Sequence, residues 1–116
     1  MTTLNPDKTV VFTSEGKEWT FYYGMAALRG FENDTGIAIE KAVSDGVSLE
    51  VCAKLIKQGL KSAHPDVTME QVDTIFDFVG IKELMLLATS ALYKAFPNLV
   101  APPTMETPNE QDGATS

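Results

Sequence analysis

Cysteine and histidine are nearly missing from this chain: among 116 residues there is one of each, Cys52 and His64. A single thiol closes no internal disulfide, which excludes the cross-linked scaffold typical of small secreted domains. With no second Cys or His at ligand spacing, no zinc site is expected either. Positive charge is also scarce. Nine Lys and Arg stand against sixteen Asp and Glu, giving a net charge of −7 and a pI near 4.5. Clustered cations are what phosphate backbones and anionic bilayers require, so neither nucleic acid nor a membrane surface is an expected partner. Long apolar runs are absent as well. The longest, over residues 84–88, is far too short to span a bilayer. No N-terminal stretch joins a basic region to an apolar one, so no signal peptide is expected, and the cytoplasm is the expected location.

The composition that remains is 44% hydrophobic and 22% charged, ordinary values that predict one folded domain. The patterning divides the chain into a flexible N-terminus over residues 1–7, a folded domain over 8–96 and a tail over 97–116. Residues 8–13 are rich in β-branched side chains. Over 17–23, Trp19, Phe21 and Tyr23 alternate with Glu18, Thr20 and Tyr22, the period of a half-buried strand. Ser14-Glu15-Gly16 between them reads as a three-residue hairpin loop with glycine in the left-handed position. An isolated hairpin is barely stable, so the aromatic face must pack on other elements.

From residue 24 onward the periodicity is helical, and the whole reads as a mainly α domain of about four to five helices behind an N-terminal β-hairpin. A first helix over 24–34 carries Ala27, Leu28 and Phe31 on one side and ends at Gly36. A short turn or two follows over 37–43. Ser48 is an N-cap for a helix reaching about Ala63, with Leu49, Cys52, Ala53, Ile56, Leu60 and Ala63 on one face and Glu50, Lys54, Lys57 and Lys61 on the other. His64-Pro65-Asp66 ends it, because a residue before proline avoids the helical region. Thr68 and Gln71 have the spacing of a capping box. The helix they open presents Met69, Val72, Ile75, Phe76 and Val79, and Gly80 separates it from a last helix over 81–96. That helix is expected to bury Ile81, Leu84, Met85, Leu87, Ala88, Ala91, Leu92 and Ala95. Past Pro97 come Pro102, Pro103 and Pro108, the acids Glu106, Glu110 and Asp112, and no Lys or Arg. Such a segment buries too little apolar surface to offset its ordering entropy, and a disordered tail is predicted.

Chemistry-bearing constellations are few. His64 stands beside a proline in a turn, where a catalytic role would need a nucleophile or carboxylate within hydrogen-bond reach. Cys52 lies on an apolar helix face, where a thiol behaves as a small hydrophobe. Gly24, Gly30 and Gly36 are six apart and match no phosphate-binding fingerprint. Gly30, inside a helix, costs about 1 kcal/mol against alanine and would be accounted for by close approach of another backbone. Asp73 and Asp77, one turn apart, read as a solvated helix face. No catalytic, metal-binding or cofactor-binding residue is assigned, and the chain is not expected to be an enzyme. A small enzyme would need His64, Cys52 and acidic residues to converge in one pocket.

Three residues depart from this pattern. Leu86 and Tyr93, seven apart, form a second stripe beside Lys82 and Thr89, off the main apolar face of the last helix, and Phe78 is similarly off-face in its own helix. Either the last helix is buried on two sides, or Phe78, Leu86 and Tyr93 belong to a surface that docks another protein.

Between about Phe21 and Phe96 the chain resembles the small tail assembly chaperones of long-tailed phages and prophages. The resemblance is carried by Tyr23, Gly24, Ala27, Leu28, Phe31 and Glu32, then Thr35-Gly36; by Leu55, Ile56, Gly59 and Leu60; and by Pro65, Asp66, Val67, Thr68, Glu70 and Val72, with Phe96-Pro97 ending the last helix. It implies a protein that binds the tape-measure protein, and also tail tube subunits, in the host cytoplasm, keeps them soluble during tail assembly and is absent from the mature virion. Self-association is compatible with it. A small helical adaptor, a regulatory module or a structural virion protein is the alternative from the residues alone.

Overall fold

The computed structural model describes residues 6–45 and 48–98, without the side chains of Pro6 and residues 43–45. The expectations for residues 1–5 and for most of the tail, 99–116, lie outside the described residues. Residues 6 and 7, placed in the flexible N-terminus by composition, belong to a 3-10 turn, Pro6–Lys8, that packs against the last helix. Strands β1 (Val10–Ser14) and β2 (Lys17–Phe21) and helices α1 (Met25–Thr35), α2 (Ile39–Asp45), α3 (Leu49–Lys61), α4 (Met69–Val79) and α5 (Ile81–Ala95) follow. The protein is mainly helical with an N-terminal two-stranded antiparallel hairpin.

The hairpin loop is two residues long and not three. Ser14 pairs with Lys17, so only Glu15 and Gly16 turn the chain. Both have positive φ, 53° and 75°, the type I′ pattern whose twist matches that of the flanking strands. The pairing Phe12↔Trp19 and Val10↔Phe21 places these four side chains on one face. Trp19, Phe21 and Tyr23 are buried there, with Phe21 stacked between Phe12 at 5.3 Å and Tyr23 at 6.1 Å. The hairpin leans on α3, α4 and α5, which supplies the partner that two strands alone lack.

α3 is the centre of the fold, touching α1, α4, α5 and β2. Leu55, Ile56 and Leu60 are fully enclosed, together with Phe21, Tyr23, Phe31, Val72, Leu84 and Leu92. Each such side chain contributes about 1.5–3 kcal/mol through burial. Two residues expected in the core are not in it: Leu49 and Ile81 remain 63% and 47% exposed. Both are first residues of their helices.

The local signals at the helix ends act as their residue types require. Ser48 Oγ accepts from Val51 N–H. Thr68 and Gln71 complete the reciprocal capping box. Gly36 closes α1 in the left-handed conformation. One cap is not local. The Glu32 carboxylate accepts from the Ile39 N–H at 3.0 Å and so caps α2 across the intervening turn.

Candidate protein-binding surface

The residues of the resemblance motif have packing and capping roles in the fold. Ala27, Leu28, Phe31, Leu55, Ile56, Leu60, Val67 and Val72 are buried. Glu32, Gly36 and Thr68 terminate or start helices. The hydroxyl of Tyr23 donates to the Leu55 carbonyl at 2.8 Å. A Cβ on Gly59 would stand 2.5 Å from that hydroxyl and 2.8 Å from the Phe21 ring. Gly59 is therefore the helical glycine at which the closest approach occurs. The expectation that Gly30 admits another backbone is corrected, since its nearest neighbour is the flexible end of the Gln58 side chain.

Of the candidate chemical residues, Cys52 is buried in α3, and burial pushes its thiol pKa up, away from the thiolate form that reacts. His64 is more than a turn residue. Its Nε2 accepts the Thr20 N–H at 3.1 Å, and its ring lies 4.7 Å from that of Trp19. An accepting Nε2 requires the neutral imidazole. Burial and the nearby Lys17 ammonium, which itself sits 4.2 Å over the Trp19 ring, both lower the His64 pKa. The imidazole thereby joins β2 to the end of α3. Among the described residues no group of three or more His, Cys, Asp or Glu is placed to hold a metal ion, and no helix is long and apolar enough to cross a membrane.

Phe78, Leu86 and Tyr93 occupy different environments. Phe78 is 65% exposed; it lies about 200° round α4 from Phe76, about 120° from Val72 and about 60° from the buried Ile75, so it borders the packed face. Leu86 is half-buried. Tyr93 is half-buried too, but packs against the core cluster. Near its C-terminal end α5 is tied to the N-terminal segment, where Lys94 Nζ donates to the Thr9 carbonyl at 3.0 Å.

Two openings lie elsewhere on the surface, and none of Phe78, Leu86 and Tyr93 lines them. One, of about 450 Å³, lies between the hairpin tip and α4 and is lined by Ser14, Lys17, Trp19, Glu70 and Thr74 among others, with charges of both signs. The other, of about 280 Å³, lies where the start of α3, the second half of α4 and the start of α5 meet. Leu49, Ala53, Phe76 and Ile81 form its apolar wall, with Asp73 and Asp77 beside them. Sequence periodicity assigns Leu49 and Ile81 to the core and the two aspartates to a solvated face. The common groove appears only once the three helices are placed together.

Searches against protein-family models, curated proteins and solved structures find no match to this chain.

Proposed function

We propose that this protein is a non-enzymatic binding protein of the phage tail assembly chaperone type. In this reading it holds the tape-measure protein, and also tail tube subunits, soluble in the host cytoplasm and does not enter the mature virion. The reading is supported by the motif resemblance and, above all, by Phe78, a large aromatic side chain left 65% exposed at the border of the packed face of α4. Aromatic residues, Phe among them, are enriched at protein interfaces relative to the rest of the surface. A tape-measure chain is long, helical and apolar in patches, and an apolar helix surface captures such segments by helix-in-groove contact. A net charge of −7 keeps the loaded complex soluble through mutual repulsion.

The test is co-expression with the tape-measure and tail tube proteins of the same genome, followed by pull-down on this chain. Soluble co-purification of a partner that is insoluble alone supports the reading. Partners that stay soluble unaided and are not retained would overturn it.

A further inference from the structure

The α3–α4–α5 groove has a composition that selects its occupant. At about 280 Å³ it falls below the roughly 300–1,000 Å³ of pockets that enclose a drug-sized ligand, which suits one or two side chains projecting from another protein. Leu49 and Ile81 remain exposed at its mouth, where each would gain by being covered. The charged residues lining it are Asp73 and Asp77. They are spaced i, i+4, one helical turn apart on one side of α4. The chain's own final segment, 99–116, carries Glu106, Glu110 and Asp112 and no Lys or Arg, so it would be repelled by this rim. A second copy, itself at −7, is disfavoured on the same ground.

We propose that this groove docks an amphipathic helix of a partner, with bulky aliphatic side chains seated against Leu49, Phe76 and Ile81 and Lys or Arg residues one turn apart paired with Asp73 and Asp77. The proposal refines the reading of the chain as a binding protein by naming the chemistry of the segment bound. It concerns a surface other than Phe78, Leu86 and Tyr93. Apolar contact supplies most of the affinity, and the paired charges fix register and exclude acidic helices.

The test uses a labelled helical peptide of about 18 residues, close to 27 Å long, built from Leu, Ala and Lys with leucines at i, i+3, i+4 and i+7. A sister peptide carries Glu in place of Lys. The full chain should bind the basic peptide saturably, at one per protein, and the acidic one at least about ten-fold more weakly. D73K/D77K should invert that preference. The remote double variant E18K/D66K changes net charge equally, at residues exposed elsewhere, and should stay within about two-fold of the parent in affinity. L49D and I81D should abolish binding of the basic peptide while keeping the circular dichroism of the parent, since both side chains are exposed.

The proposal is overturned if the parent chain binds neither peptide, if E18K/D66K loses as much as D73K/D77K, or if the chain is a dimer that L49D dissociates, which would make the groove a self-interface. None of these outcomes touches tape-measure retention in the pull-down, so the chaperone reading and the groove can fail separately.

Discussion

Tyr23 donates its hydroxyl proton to the carbonyl of Leu55 at 2.8 Å, inside the core and one turn before Gly59 in the same helix. The neighbouring Tyr22 N–H reaches the Gly59 carbonyl, also at 2.8 Å. That carbonyl is among the last four of α3, which have no acceptor role inside the helix. The chain leaving β2 is thus bonded twice to α3, at a distance that a side chain on residue 59 would prevent.

Gly59→Ala should therefore destabilise the protein. Alanine gains about 1 kcal/mol in helix propensity, but overpacking against an enclosed aromatic pair costs about 1–3 kcal/mol. Gly30→Ala has the opposite expectation: the nearest atoms to its new methyl belong to the movable end of Gln58, and the propensity gain should leave it neutral or more stable by up to about 1 kcal/mol. Urea midpoints of the two variants check the contrast. Equal midpoints would refute the close-approach account of Gly59.

Tyr23 should remain protonated in the native state well into alkali, because complete burial raises its pKa far above the ordinary tyrosine value. The unfolded chain ionises Tyr23 near the ordinary value of about 10. Stability linked to this group is therefore complete below that pH and declines as pH rises above it. Tyr23→Phe should flatten this alkaline decline and remove one hydrogen bond, at a cost of about 0.5–1.5 kcal/mol near neutrality. Denaturation at a series of alkaline pH values, for parent and variant, measures both.

His64 should make the protein less stable on acidification. Its folded pKa is lowered, so the unfolded state binds the proton first. The contribution is whole above the ordinary histidine value of about 6.5 and is lost progressively as pH falls from there toward the lower folded value. Protonation would also set a donor on Nε2 against the Thr20 N–H. As the single histidine, its proton resonance can be titrated without assignment ambiguity. Lys17→Gln should move the titration upward, and His64→Phe should remove this component of the acid slope. A titration unmoved by Lys17→Gln would discard the electrostatic part of the account.

The three off-face residues should separate by variant. Phe78→Asp leaves an already exposed site and should change stability by no more than about 0.5 kcal/mol, with loss of partner retention in the pull-down. Leu86→Asp should likewise abolish retention while helicity is kept. Tyr93→Asp should lower the melting temperature, because Tyr93 packs on the core. If Leu86→Asp unfolds the chain, Leu86 belongs to the core and the proposed surface contracts to Phe78.

Periodicity and end signals carried most of the architecture. Alternation identified Trp19, Phe21 and Tyr23 as the inner face of the hairpin, and the residues at 36, 48, 68 and 71 marked helix ends, because strand pleat, left-handed glycine and side-chain caps are properties of a few consecutive residues. Loop length was less legible. The expected three-residue turn contracted to Glu15-Gly16 because cross-strand pairing, not the turn residues, decides whether Ser14 belongs to β1.

Of the surface, Phe78 stood out in the sequence as off-face, but the groove was not legible. Helical periodicity says which residues share a side of a helix, but not how far along its axis a neighbour reaches. Leu49 and Ile81 thus had the pattern of core residues, and Asp73 and Asp77 that of a solvated face, until packing set all four at one groove. The same reason explains His64 and Gly59. Each acquires its role from a partner more than thirty residues away, Thr20 for one and Tyr23 for the other. The sequence alone determined helix, hairpin, charge and the residues able to form a core. The tertiary structure decided which apolar side chains stay uncovered, which glycine must lack a side chain and which imidazole must stay neutral, because each depends on distances between segments that local sequence does not encode.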